Sequence, residues 1–285
     1  MSALKKLPHR DWERLRDLWI DHLPQIDFSD EFPEPTLWHL EEVREKLKGA
    51  ESGTEVPYIE GTRESVFREA VLLTRKFSYC RQMSVGANRH GFPAWSIIAQ
   101  YDACFFGAKA FCYLLGIASV DRHSKLYLDM FTPRIHKVGK KKLQVYDVLA
   151  VHKLDNNLTH SVLWSLIGRL GRTLTMPEDA GALLRQLKAT DFSDVSYFRN
   201  KLIYDGGFWH NSDDIDHCDL NHRMSHLALN GDSIAHITPE SAQRCFSVAQ
   251  VVGDALLYFF ADLAKLAPKM AAEVDALAGW RSSSI

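Results

Sequence analysis

The sequence predicts an all-α helical bundle carrying one small inserted β-hairpin. Three observations predict it. Apolar residues recur at three- and four-residue intervals through most of the 285-residue chain. Helix punctuation stands at the ends of those segments, such as Gly116 after one and Thr238–Pro239 before another. The period shortens only around residues 125–148, where two short apolar runs flank a turn-rich, lysine-heavy stretch.

Taken in order, a first helix spans Asp11–Leu23 with Trp12, Leu15, Leu18, Trp19 and Leu23 inward, ending at Pro24. A Pro-rich connection leads to Thr36–Lys48, whose stripe is Leu37, Leu40, Val43 and Leu47. Glu51–Gly61 reads as a loop and Thr62–Met83 as a long helix with Val66, Ala70, Leu73 and Phe77 inside. The segment Gly86–Gly91 reads as a boundary, so residues 1–90 form an N-terminal helical region and 91–285 the main bundle. Trp95–Leu115 mixes large residues with Ala103, Gly107 and Ala108, which lets a neighbouring helix approach closely. Leu126–Phe131 and Leu143–Val148 are read as the strands of the inserted hairpin. Helices follow at Asn157–Leu174 and Pro177–Lys188, then a long one opened by Thr238 and Pro239 with Phe246, Val252, Leu256, Phe259 and Leu263 inward. A short helical tail reaches about Trp280.

Composition bounds the partners. Hydrophobic residues make up 46% and charged residues 25%, with a formal net charge of -2, so no global basic field attracts nucleic acid and any such binding uses local patches. The start, MSALKKLPHRDWERL, lacks the apolar run of a secretory signal. Phe246–Leu263 contains Gln250, Asp254 and Asp262, which reads as a buried helix and no membrane span. Five cysteines without a CxxC pair indicate a reducing compartment, hence a cytoplasmic protein.

The most informative segment is Ser193–Gly207, SDVSYFRNKLIYDGG. Val195, Phe198 and Leu202 fall at helical spacing, and Arg199 lies in the same stripe. A guanidinium at the margin of a core cannot discharge and needs an anion opposite it. Ser193, Ser196, Asn200 and Tyr204 form an adjoining polar strip. An arginine flanked by an amide and a phenol suits a phosphodiester, and equally a structural carboxylate on another helix.

Five features together resemble the HEPN superfamily. They are Tyr101, Phe105, Ala108, Ala110 and Phe111 leading into Leu114-Leu115-Gly116; a second helix with His160, Leu163 and Trp164; a short third helix; the Arg199-Asn200 helix ending in Leu202-Ile203-Tyr204; and a long apolar closing helix. The resemblance covers roughly residues 93–266. It implies a helical bundle that dimerises, and an activity found among toxins and antiviral defence effectors, metal-independent RNA cleavage without a cofactor. The family signature is Arg, four to six residues, then His. Arg199 and Asn200 match it, whereas Tyr204 stands where a histidine is expected and the next imidazole is His210. A tyrosine with its usual pKa of about 10 is a poor base at neutral pH, but it donates to phosphate or stacks on a base. The resemblance thus implies a site of Arg199, Asn200, Tyr204 and His210, or a non-catalytic binding module of the same fold. The N-terminal region is a candidate surface for a protein partner.

Two further clusters carry chemistry. Lys137, Lys140, Lys141 and Lys142 sit near the expected hairpin tip, where they suit RNA phosphates and equally a solvated turn. His217, Cys218, His222 and His226 with Asp214 and Asp216 offer zinc-compatible ligands, the basis of a third reading as a metal-dependent hydrolase. They lack an HExxH or paired CxxC pattern, so no metal site is assigned. No Gly-rich phosphate loop or GxSxG elbow is present.

Overall fold

The computed structural model describes residues 9–26, 45, 53–90, 92–119, 126–138, 141–153, 160–193, 195–196, 200 and 240–282. Helix dominates, as the periodicity predicts, but three small sheets accompany it among the described residues. Strand β1 (Arg10–Asp11) leads into α1 (Trp12–His22), where the Asp11 carboxylate accepts from the Arg14 backbone N–H at 3.1 Å and caps the helix. After β2 (Glu55–Pro57) come α2 (Thr62–Arg89) and α3 (Pro93–Leu114). The two form an antiparallel helical hairpin in which the Ser84 and Ser96 hydroxyls meet at 3.0 Å. Helix α2 passes through Gly86 to Arg89, where the sequence suggested an earlier end. A Cβ on Gly107 of α3 would lie 2.8 Å from the Phe77 ring, so the missing side chain sets how closely the pair packs.

The β element is larger than one hairpin. Strands β3 (Ile117–Ser119), β4 (Leu126–Asp129) and β7 (Val148–Lys153) join β2 in a four-stranded sheet ordered β2-β7-β4-β3, all antiparallel. The hairpin itself is β5 (Arg134–Val138) with β6 (Lys141–Val145). The expected partnership of Leu126–Phe131 with Leu143–Val148 is therefore incorrect. Leu126–Asp129 pairs instead with Ala150–Lys153 and with Ile117–Ser119, because a central strand needs partners on both edges and one hairpin supplies only one.

Helix α4 (His160–Thr173) runs into β8 (Leu174–Thr175), which pairs in parallel with β1. Then follow α5 (Gly181–Ala189), α6 (Glu240–Leu266) and α7 (Ala271–Ser282). Of the expected helix at Thr36–Lys48 only Glu45 is described, and it is helical.

The core runs from Trp12 to Met270 without interruption. The Trp12 ring stacks on Phe259 at 4.0 Å and its Nε1–H donates to Asp262 at 3.0 Å. The Trp19 Nε1–H donates to the Leu114 carbonyl at 2.7 Å, so both indoles bury their rings and satisfy their donors. Gly116 ends the α3 turn at φ 75°, and a Cβ there would sit 2.8 Å from Phe131. Arg244–Leu266 is long and apolar enough to cross a membrane, yet 67% of that window is buried inside the fold. Its buried face, including Val248, Val252, Leu256, Phe259 and Leu263, packs into the core. Cys104, Cys112 and Cys245 are buried free thiols; burial pushes the Cys104 and Cys112 thiols far up, and they behave as small hydrophobes.

Candidate nucleic-acid interface

The lysine-rich hairpin is the described surface with the clearest charge pattern. In the β5–β6 ladder Arg134 pairs with Val145, Ile135 with Gln144, His136 with Leu143, Lys137 with Lys142, and Val138 with Lys141. Alternation puts Ile135, Lys137, Lys142 and Gln144 on one face. Lys137, Lys141 and Lys142 are exposed, as are Ile135 at 62% and Leu143 at 49%. Two like charges directly opposite each other disfavour a hairpin by roughly 0.2–1 kcal/mol. An isolated two-stranded ribbon is marginal in water, so this pairing is a cost to the fold and a gain for holding an anion. The other end of the ribbon is compensated: Arg134 Nε lies 3.7 Å from Glu55, its Nη1 lies 3.5 Å from Asp147, and His136 Nε2 lies 3.9 Å from Asp147. Charge is thus neutralised at the base and concentrated at the tip. Lys140 lies outside the described residues.

The segment leading to Arg199 is fastened to α6. Asp191 accepts from the Ser193 backbone N–H at 2.9 Å and from its hydroxyl at 3.0 Å, which forms an Asx turn. Those two bonds, against a small opposing effect of burial, hold its carboxyl below the usual range. Arg244 Nη2 lies 3.5 Å from the same carboxylate, and the Cys245 thiol donates to the Val195 carbonyl at 3.0 Å. Val195 is fully buried, as its place in the stripe predicts. Asn200 is helical: its backbone N–H donates to the Ser196 carbonyl at 3.0 Å, and its side chain is exposed. Arg199, Tyr204, His210 and the His217–His226 cluster lie outside the described residues. Among the described residues no group of three or more His, Cys, Asp or Glu side chains is arranged to hold a metal.

Sequence reasoning missed a second polar constellation, inside the fold. Ser119, Tyr127 and His152 form one cross-strand row over β3, β4 and β7, with Asp129 one step along β4 on the same face. Tyr127 is 3% exposed and Asp129 1%. Ser119 shares a 2.8 Å hydrogen bond with the Tyr113 hydroxyl. Asp129 accepts from the Phe131 N–H at 3.0 Å and faces Arg10 Nη2 at 2.8 Å. That guanidinium approaches by distance without an aligned N–H, so Arg10 Nε and Nη2 make no directional hydrogen bond. The Tyr127 hydroxyl and His152 Nε2 are also buried without hydrogen-bond partners. Burial lowers the His152 pKa below 6.5, opposed by the Asp129 charge and aided by Arg10. Burial likewise pushes the Tyr127 phenol far up, so both rings are held neutral. The signal was available in the alternation of Leu-Tyr-Leu-Asp at 126–129 and Val-His at 151–152. Only the strand register shows that these side chains share a face.

No protein-family model, no curated protein and no solved structure matches the chain.

Proposed function

We propose that this chain is a HEPN-like RNA-acting protein of the cytoplasm that works as a homodimer, gripping RNA through the β5–β6 hairpin and cleaving it without a metal at Arg199. The observation that supports RNA binding best is the opposed Lys137–Lys142 pair with Lys141 beside it, on a ribbon that exposes Ile135 and Leu143. Cations interleaved with aliphatic side chains suit a phosphate–sugar backbone. In the proposed chemistry an RNA 2′-hydroxyl loses its proton and attacks the adjacent phosphorus. The bond to the 5′-oxygen breaks, that oxygen gains a proton, and a cyclic phosphate and a free 5′-hydroxyl result. Arg199 stabilises the charge on the phosphoryl oxygens and Asn200 orients the phosphate. Tyr204 or His210 carries the proton or contacts the leaving group. A membership among toxins or antiviral defence effectors follows from the same resemblance.

The test is binding and cleavage of single-stranded RNA. Lys137→Glu with Lys142→Glu is expected to weaken binding and to lower the slope of log affinity against log salt by about 0.7 for each phosphate no longer neutralised. Cleavage is expected to survive a chelator and to vanish in Arg199→Ala, whose far-UV circular dichroism should match the parent. Unchanged affinity in the lysine variant, or cleavage that persists in Arg199→Ala, would overturn the proposal. A second reading, a non-catalytic RNA-binding module of the same fold, is favoured by Tyr204 in place of histidine. It predicts lysine-dependent binding with no cleavage by the parent protein.

A further inference from the structure

Among the described residues, the helical hairpin α2–α3 carries a row of exposed large apolar side chains along one of its two sides. Exposed on it or at its tip are Leu72 at 38%, Tyr79 at 63% and Met83 at 50% on α2, with Phe92 at 57% and Trp95 at 62% at the start of α3. Three pairings across the hairpin fix which residues share that side. Phe77 and Gly107 face each other across the hairpin, and the residues just before them, Lys76 and Phe106, also meet, with Nζ 5.5 Å from the ring. Ser84 and Ser96 face each other in the same way. One residue back on each of two antiparallel helices is a turn of about 100° toward the same side, so Met83 and Trp95 lie on the side of Lys76 and Phe106. Tyr79 is three residues from Lys76 and four from Met83, and Leu72 is four from Lys76, which completes a stripe along α2.

We infer that this side of α2–α3 is a self-association surface whose occupant is the same side of a second copy of the chain. Two properties choose that occupant. The first is charge. Cys80 feels both the Asp102 carboxylate and the Lys76 ammonium, which places one acid and one base together on this side. An apolar stripe with balanced charges is complementary to its own two-fold copy, and it offers no excess cation to a polyanion. The second is area. Fully burying an aromatic side chain removes roughly 150–250 Å². Three aromatics exposed at 57–63%, with Met83 and Leu72, therefore present on the order of 400–600 Å² per copy. Two copies and their rims reach the roughly 1,200 Å² at which specific interfaces begin. Per copy this lies in the upper part of the range of the largest apolar patch on a monomer, about 300–600 Å², patches that are often functional. The surface lies on α2 and α3. The inference deepens the dimeric part of the proposed function and is independent of its chemistry.

The experiment is sedimentation velocity of the full chain over a hundredfold concentration range, with RNA binding measured on the same samples. The parent is expected to sediment as a dimer. Met83→Glu with Trp95→Glu is expected to be monomeric, its dimer dissociation constant raised at least about 30-fold, as for loss of an interface hot spot. Ile135→Glu, equally exposed on the hairpin, is expected to remain dimeric. Both altered side chains are half or more exposed, so thermal melts of the variants should match the parent. A monomeric parent, or a variant that stays dimeric, overturns the inference. Loss of RNA affinity in Met83→Glu with Trp95→Glu at unchanged dimeric mass also overturns it, because the side would then be a base-stacking platform; Ile135→Glu is read for its mass alone. If RNA binding fails while the dimer responds as expected, the surface stands and the RNA proposal falls.

Discussion

Replacing Asp129 with alanine should be among the most damaging single changes to this fold. Asp129 is 1% exposed and Arg10 3%, and their charged atoms lie 2.8 Å apart. Arginine cannot shed its proton to relieve the loss of its partner. Asp129→Ala therefore leaves a buried cation facing a void, a change that costs about 3–5 kcal/mol in comparable buried pairs. The Phe131 N–H loses its acceptor as well, adding about 1 kcal/mol. Arg63 also feels the Asp129 charge, but its own bonds to the Met130 and Tyr146 carbonyls remain. A domain of ordinary stability, about 5–15 kcal/mol, would lose roughly a quarter or more of it. The assay is urea unfolding followed by tryptophan fluorescence, since Trp12 and Trp19 are fully buried, with far-UV circular dichroism as a second probe. The double variant Arg10→Met with Asp129→Leu removes both charges and should recover most of the loss, because an apolar pair avoids the desolvation of two ions. A loss under about 1 kcal/mol in Asp129→Ala, or a double variant as unstable as the single, would refute the reasoning that the carboxylate exists to hold this guanidinium.

Four further outcomes follow from other sites. Because burial lowers the His152 pKa in the folded state, the unfolded chain protonates first; stability should be full above pH 6.5 and fall as pH drops from 6.5 through the folded value. His152→Gln should flatten that part of the urea-midpoint profile between about pH 7.5 and 5, and an unchanged slope would contradict the assignment. Gly116→Ala should cost about 2–3 kcal/mol in urea unfolding, from the left-handed φ of 75° and the Phe131 ring that must move. Gly86→Ala, helical and open around its Cβ position, should instead gain up to about 1 kcal/mol. Lys142→Glu should raise stability by up to about 1 kcal/mol by turning the Lys137 pair attractive, read as a higher urea midpoint, even as RNA affinity falls.

Much of the helical framework was legible because its signals are close in sequence. Trp12, Leu15 and Trp19 lie within two turns of one another, and the Asp11 cap reaches only to Arg14. Val66, Ala70, Leu73 and Phe77 gave both the existence of α2 and its buried side, although the helix runs past the expected end at Met83. The lysines of the candidate interface were visible as a run. That Lys137 opposes Lys142 was not visible, because register depends on the partner strand and the expected pairing is not the one formed. The side-chain arrangement at Arg199 rests on the sequence alone, apart from a buried Val195 and a helical Asn200.

By itself the sequence determined where helices form, which of their sides are apolar, and which residues bear the charges. Those follow from hydrogen bonds between residues four apart and from the 3.6-residue turn, both local properties. The tertiary structure alone decided that β4 lies between β3 and β7, that Tyr127 and His152 share a cross-strand row, and that Arg10 finds Asp129. It also decided that Met83 and Trp95 are exposed on one side of a helical hairpin. Strands and buried charges are completed by partners remote along the chain, and local periodicity holds no record of which partner is chosen.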